Sequence, residues 1–333
     1  MGVNMKKIVM FNYRDAVEGD GAKVYGDKYG VDITCYNHPL NEDNYELTKG
    51  FEAVSIVGGS PLQKDLLDKL ASVGVKYIST RSIGYDHIDV NYAKSLGMRV
   101  ANNAYSPSSV GDFAVTLMLM LTRKLPLMLS KSVSGDHSMN GVKGVEMHNL
   151  TIGIIGGGKI GRVVAKRCYG FDSKVLIYDK YENEDTKKIA SYVDLDTLLK
   201  ESDIISVHVP YNQDTHHLID ETAINKMKDG VYIINTARGE LISNQALIKG
   251  LLSGKIQGAG LDVMEQEQAM FRNTTCGKIF DRDDYYILRG LDNVILTPHK
   301  AFLTDEATNG MVENSITSLI DFIDGKENFL EIK

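Results

Sequence analysis

The chain has 333 residues, 43% of them hydrophobic and 24% charged, with a formal net charge of −7. That length favours two domains over one, and the composition supplies ample material for their cores. An acidic balance without a Lys/Arg run argues against a nucleic-acid partner, and no apolar stretch approaches the ~20 residues needed to cross a bilayer.

At the N-terminus, charged Lys6 and Lys7 lead directly into strand-like Ile8-Val9-Met10-Phe11, with no secretory signal, so the expected location is the cytoplasm. Gly2 does not open a myristoylation motif, because position six is Lys6 rather than Ser or Thr. Cys35, Cys168 and Cys276 lack CxxC spacing and read as reduced thiols rather than disulfides or metal ligands.

β-rich runs at 7–11, 54–58, 76–80 and 99–102 alternate with helix-like segments such as 62–71, whose leucines at 62, 66, 67 and 70 share one face. Such alternation predicts a parallel sheet with covering helices. Ser106 then offers an N-cap and Pro107 a first helical position. The Leu- and Met-rich helix that follows should be buried and should end near Leu125, because Pro126 disfavours helical backbone at the residue before it.

From Thr151 the alternation restarts, with β-runs at 151–155, 174–178, 204–209, 231–235, 260–263 and 294–296. Six runs separated by helices suit a doubly wound sheet. Thr304-Asp305-Glu306 opens a last helix, whose apolar residues are Met311, Ile316, Leu319, Ile320 and Ile323. That tail is expected to return to the first domain.

The most specific motif is Gly156-x-Gly158-x-x-Gly161. Alone it is weak; here a β-run precedes it, a helix follows at 162–168, and Asp179 lies eighteen residues beyond Gly161. In that context it predicts a dinucleotide site. The first glycine allows the tight turn, the second lets the backbone approach a pyrophosphate, and the third lets helix and strand pack closely. Backbone N–H groups around Lys159 and Ile160 would face the phosphates at a helix N-terminus. Asp179 would accept from the adenosine ribose and repel a 2′-phosphate, which favours NAD over NADP.

Three chemically capable residues follow later β-runs: Arg238 in Asn-Thr-Ala-Arg-Gly-Glu, Glu267, and His299 in Thr-Pro-His. Hydride transfer between a nicotinamide and a carbonyl needs a proton partner, which a His can be. A carboxylate beside it would hold the ring oriented. An Arg presents a forked donor set matched to a substrate carboxylate. The set describes a dehydrogenase of 2-oxo or 2-hydroxy acids.

With these motifs the chain resembles the D-isomer-specific 2-hydroxyacid dehydrogenases, in their D-lactate and D-2-hydroxyisocaproate dehydrogenase branch. The matching stretches are 79–89, 105–107, the glycine motif, 208–210, 227–230, 235–239, 262–267 and 297–299, spread over nearly the whole chain. The resemblance implies Arg238, Glu267 and His299 as the catalytic trio, with Glu267 chosen over Glu265 by its spacing from Asp262. It implies backbone amides of Ile83 and Gly84 for the substrate carboxylate, with Tyr105 close by and Val57 where the substrate side chain points. Val209, Pro210, Thr215, Thr236, Ala237 and Asp262 would line the cofactor beside Gly156, Gly158, Lys159, Ile160, Gly161 and Asp179.

The resemblance also implies the architecture: α/β, with two Rossmann-like domains of parallel sheets. A central NAD-binding domain, 104–299, is inserted in a discontinuous, flavodoxin-like substrate (catalytic) domain, 1–103 and 300–333. A homodimer with a small-molecule 2-oxo or 2-hydroxy acid as substrate is expected, with no metal, membrane or nucleic acid. Small residues around Val57 leave room for an acid larger than pyruvate. Glu rather than Gln at position 267 disfavours formate as substrate. Lys300 and Gly157 depart from the family pattern, and the His216-His217 pair reads as an exposed loop. The alternative to an enzyme is a non-catalytic NAD(H)-sensing corepressor-like protein.

Overall fold

A computed structural model describes residues 5–270 and 279–333; Cys276 lies outside the described residues. The chain divides into two units, Met1–Ser106 together with Leu303–Lys333, and Pro107–Phe302. In the first, short apolar runs become five strands: β1 (Lys6–Met10), β2 (Val31–Cys35), β3 (Ala53–Ile56), β4 (Tyr77–Thr80) and β5 (Arg99–Ala101). All pair in parallel, in the order β2-β1-β3-β4-β5 that defines a flavodoxin-like sheet. Helices α1 (Asp15–Glu18), α2 (Gly21–Tyr29), α3 (Lys64–Ser72) and α4 (Val90–Ser95) join them. The leucine face of α3 is real: Leu66, Leu67 and Leu70 share a core with Val54, Ile56 and Ile78.

Arg81, the residue after β4, has no exposed surface. Its guanidinium donates to Glu18 at 2.5 Å, to the Ser55 hydroxyl at 2.8 Å and to the Phe11 carbonyl at 2.9 Å. A charge so partnered is tolerated inside, and it pins the start of the loop that carries Ile83 and Gly84.

The second unit holds a seven-stranded parallel sheet: β6 (Thr151–Ile155), β7 (Lys174–Tyr178), β8 (Ser191–Tyr192), β9 (Ile204–Val207), β10 (Val231–Asn235), β11 (Ile256–Leu261) and β12 (Val294–Leu296). The order β12-β11-β10-β9-β6-β7-β8 reverses direction between β6 and β9, the point at which doubly wound sheets bind ligands. Its helices are α5 (Pro107–Thr122), α6 (Leu125–Val133), α7 (Lys159–Tyr169), α8 (Leu195–Glu201), α9 (Glu221–Lys226), α10 (Asn244–Ser253) and α11 (Asp283–Gly290). β11 begins four residues before the expected run at 260, because its glycines answer to packing rather than propensity. A Cβ on Gly260 would lie 2.9 Å from the Leu117 side chain of α5, and one on Gly258 would lie 2.8 Å from the Asn293 carbonyl.

The helix opened by Pro107 stops at Thr122, short of Leu125, and Pro126 belongs to the first turn of a new helix. Lys124 bridges the two in left-handed backbone, φ 50°, and the freed Thr122 carbonyl accepts from the Val145 amide at 2.9 Å. Proline fits there because a first-turn N–H has no helical partner to lose. Among the described residues no single helix is long and apolar enough to cross a membrane; α5 and α6 are bent by 62° at their junction.

The last helix, α12 (Asp305–Ile323), belongs to the first unit, and Thr304 caps it by accepting from the Ala307 amide. Met311, Ile316 and Leu319 are buried on it, as their spacing predicts. Beyond it, Arg99 grips Glu331 through Nε at 2.9 Å and Nη2 at 2.5 Å while lying over the Phe322 ring.

Candidate active site

The C-terminal ends of the parallel strands in the second unit carry the candidate residues. β6 runs into Gly156, whose φ of 106° is left to glycine, and a Cβ there would lie 2.7 Å from the His208 carbonyl. A Cβ on Gly161 would sit 1.9 Å from the Gly156 oxygen, so the turn closes only with glycine at both places. Gly158 faces open space and is the N-cap of α7. The N–H groups of Lys159 and Ile160 donate no hydrogen bond among the described residues, as a phosphate-binding helix N-terminus requires. A Cβ on Gly157 would lie 3.2–3.4 Å from Ile177, the Tyr192 hydroxyl and Asp179, a fit tight enough to favour glycine there. The Asp179 carboxylate accepts from the Gly157 amide at 2.6 Å and the Tyr181 amide at 2.8 Å, which fixes it beside the glycine turn.

On the neighbouring strands, Val209 and Pro210 follow β9, and the Thr215 hydroxyl donates to the Pro210 carbonyl at 2.9 Å. Thr236 and Ala237 follow β10. The Thr236 hydroxyl is buried without a hydrogen-bond partner among the described residues, an orphaned polar atom that suits a polar cofactor group. Together with the open N-terminus of α7 it makes the donor set one that fits a dinucleotide.

His299 and Glu267 meet directly, Nδ1 to Oε1. The other Glu267 oxygen accepts from the Met264 amide at 3.1 Å. Glu267 is nearly buried, with 9% of its side chain exposed, whereas the His299 side chain is 31% exposed. His299 Nε2 makes no hydrogen bond among the described residues. His299 adopts φ 55°, unusual for a residue with a side chain. Asp262 holds it there: its carbonyl accepts from the His299 amide at 2.7 Å, and its carboxylate accepts from the Thr297 hydroxyl and the amides of Lys300 and Ala301. Asp262 has no exposed surface. Burial pushes its carboxyl above the ordinary carboxylate value against the pull of those three donors. Its visible work is to shape the histidine turn. Lys300, the departure from the family pattern, supplies one of those amides.

Arg238 stands on the adjacent loop. Asn235, completely buried at the end of β10, donates to the Arg238 carbonyl at 2.8 Å and accepts from the Ala237 amide at 3.0 Å. Gly239 then lets this loop touch the one bearing Glu267, because a Cβ there would be 2.0 Å from the Met264 carbonyl carbon. Asn235, Gly239 and Thr297 were not singled out as site residues from the sequence. A buried Asn closing the apolar run Val-Tyr-Ile-Ile was the available signal for the first.

His208 lies between the glycine turn and these loops, with Nε2 2.8 Å from the Ser206 hydroxyl. Burial pushes it down to about 4. A histidine depressed in the folded state stabilises the fold above its unfolded value near 6.5, and that stability is lost as the pH falls towards 4. Urea unfolding should show wild type losing about 2 kcal/mol more than His208→Gln between pH 7 and pH 4.5, less than complete burial would give. Equal losses would mean that the ring is not held neutral.

In the first unit, Val57 follows β3, Ile83 and Gly84 follow β4, and Tyr105 follows β5. The Ile83 carbonyl accepts from the Asn102 side chain at 2.9 Å and the Gly84 carbonyl from the Ser82 hydroxyl at 2.8 Å. The N–H groups of Ile83 and Gly84 donate no hydrogen bond among the described residues, which leaves two donors for an anion.

A doubly wound sheet with a dinucleotide turn, a His–carboxylate pair and an Arg on the adjoining loop defines a nicotinamide-dependent dehydrogenase. Residues 115–301 match the family model described as D-isomer specific 2-hydroxyacid dehydrogenase, NAD binding domain. The chain is 43% identical over 307 residues to an aromatic 2-oxoacid reductase of Clostridium sporogenes, covering 92% of this chain and 93% of that one. It is 38% identical over 305 residues to the D-lactate dehydrogenase of Lactiplantibacillus plantarum, covering 91% and 92%. Among solved structures it is similar to a D-2-hydroxyisocaproate dehydrogenase, with a TM-score of 0.89, 34% identity and coverage of 98% and 99%. It is likewise similar to the Aquifex aeolicus D-lactate dehydrogenase complexed with NAD and lactic acid, with a TM-score of 0.86, 36% identity and coverage of 96% of each chain. The chain belongs to the D-isomer-specific 2-hydroxyacid dehydrogenase family. It is an NAD-dependent oxidoreductase that interconverts 2-oxo acids and (R)-2-hydroxy acids, and the corepressor alternative is not favoured.

Proposed function

We propose that His299 is the acid–base group of this reaction, that Glu267 orients it and that Arg238 anchors the substrate carboxylate. The observation that carries this reading is the Nδ1–Glu267 pairing, which leaves Nε2 without a partner among the described residues. The NADH held in the dinucleotide site would supply the hydride for the keto carbon. His299 Nε2–H gives its proton to the carbonyl oxygen as the alcohol forms, and takes it back in the reverse direction. Glu267 offsets the charge that the ring carries when protonated. Ile83 and Gly84 supply backbone donors for the carboxylate, with Tyr105 beside them. Gly156, Gly158, Lys159, Ile160, Gly161 and Asp179 hold the pyrophosphate and ribose of NAD, while Val209, Pro210, Thr215, Thr236, Ala237 and Asp262 form the rest of its surround.

The substrate is an acid larger than pyruvate, aromatic 2-oxo acids included. A valine at position 57 leaves volume for such a group, and the similarity to an aromatic 2-oxoacid reductase supports it. One methylene in an apolar pocket changes discrimination by only ~1–3 kcal/mol, so pyruvate should remain a weaker substrate. Over a panel of 2-oxo acids, kcat/KM for phenylpyruvate or 2-oxoisocaproate should exceed that for pyruvate by about tenfold or more; a preference for pyruvate would remove the size argument.

Residues 1–103 and 300–333 serve as the substrate domain and 104–299 as the NAD domain, each boundary three residues before the division between the two units. The protein works as a homodimer in the cytoplasm. Leu129 and Val133 of α6 are 56% and 91% exposed, an apolar face that a second copy would cover. Burial holds the thiol of Cys168 protonated, pushed up to about 12, in keeping with a reduced, unreactive cysteine.

A further inference from the structure

A second His–carboxylate pair stands behind the first. His217 is not a plain exposed loop residue: its Nε2 lies 2.6 Å from Glu265 Oε1, although 48 residues separate them. A carboxylate only accepts, so Nε2 carries the proton. The other Glu265 oxygen accepts from the amide of Asn244, the first residue of α10, at 2.7 Å. The His217 amide in turn donates to the Glu240 carbonyl at 2.9 Å, and the Glu240 side chain accepts from the Gln266 amide at 3.3 Å. Arg282 completes the clasp by donating to the carbonyls of Glu265 at 2.8 Å and Gln266 at 3.1 Å. Asp284 holds Arg282 in place with two hydrogen bonds.

The bonds to Glu265 and Gln266 converge on the turn that delivers Glu267. Gln266 is in left-handed backbone at φ 54°, and His217 itself is at φ 50°. A residue with a side chain keeps such a conformation only where its surroundings over-determine it. Glu240 and Glu265 also flank the place where Gly239 presses on Met264, so the clasp ties the loop of Arg238 to the loop of Glu267.

We propose that His217 and Glu265 form a positioning pair that fixes the Glu267 turn, and through it the ring of His299, without touching substrate or cofactor. The inference rests on the assignment of His299 and Glu267 to proton transfer. Other titratable or charged groups around the pair are His216, stacked on His217 at 3.9 Å, Tyr211 against His216, and Glu240, Arg282 and Asp284.

The test compares wild type, His217→Ala, His217→Gln, Glu267→Gln and the double variant His217→Ala/Glu267→Gln. For each, kcat, the KM values for NADH and phenylpyruvate, and the pH profile of kcat/KM are measured. With 35% of its side chain exposed, His217 can be truncated without opening the core. His217→Ala should lower kcat about tenfold, leave the KM for NADH within about twofold and displace the pH limb of kcat/KM. Gln still carries a donor and should restore kcat to within about threefold of wild type. The double variant should be no slower than Glu267→Gln alone, because both changes act through one group.

The proposal is overturned if His217→Ala leaves kcat and the pH limb unmoved, or if its loss multiplies with that of Glu267→Gln. Should His217→Ala not fold, Glu265→Asp replaces it with the same expected and contrary results, since the shortened arm cannot reach both partners. An unchanged kcat in Glu267→Gln alone is a different failure: it removes the acid–base assignment itself.

Discussion

His299→Gln is expected to lower kcat by about a thousandfold while leaving NADH affinity within a few-fold of wild type. A positioned acid–base group contributes about 10²–10⁴ to rate, and Gln cannot deliver a proton at neutral pH. The substitution keeps a polar side chain on the turn, whose backbone is held by Asp262 rather than by the imidazole. NADH titration followed by fluorescence, beside steady-state kinetics, separates the two effects. Loss of both kcat and NADH binding would mean that His299 shapes the nucleotide site instead of serving the proton.

Arg238→Gln is expected to cost about 10²–10³ in kcat/KM, with much of it in the KM for the oxo acid. Removing one member of a desolvated charge pair costs about 3–5 kcal/mol, and part of that is recovered when water enters. Arg238→Lys should recover only a fraction, because an ammonium lacks the planar fork that meets a carboxylate with two parallel bonds. The backbone of the loop should survive either change, since Asn235 and Gly239 set it. Full activity in Arg238→Lys would show that charge alone suffices and that the bidentate role is wrong.

These two expectations start from residues that stand out in the sequence, and much of the surrounding fold is legible there too. The glycine turn could be read because its constraints are local: φ at Gly156 and the contact between Gly161 and Gly156 involve residues five apart. The Thr304 cap is equally local. β2 escaped notice because it is an edge strand with mixed exposure, and β8 because two residues carry no pattern. The start of β11 is not legible because Gly258 and Gly260 weaken its β signal, and their reason, the approach of α5 and Asn293, lies elsewhere in the chain. The break between α5 and α6 depends on a carbonyl taken by Val145, more than twenty residues on.

The site divides along the same line. Arg238, Glu267 and His299 are recognisable by type and by neighbouring motif. What sets their geometry is not: Asn235 under Arg238, Gly239 against Met264, Asp262 beneath the His299 turn and Glu265 clasped to His217. Each of those last three contacts joins segments 25 or more residues apart, and contacts of that reach leave no periodicity or spacing to read.

The central claim is that this chain transfers hydride from NADH to a 2-oxo acid and produces one hand of alcohol. Incubating it with NADH and phenylpyruvate and resolving the product on a chiral column tests that directly. The account predicts NADH oxidation matched one for one by (R)-phenyllactate; formation of the (S) isomer, or NADH binding without turnover of any 2-oxo acid, would contradict it.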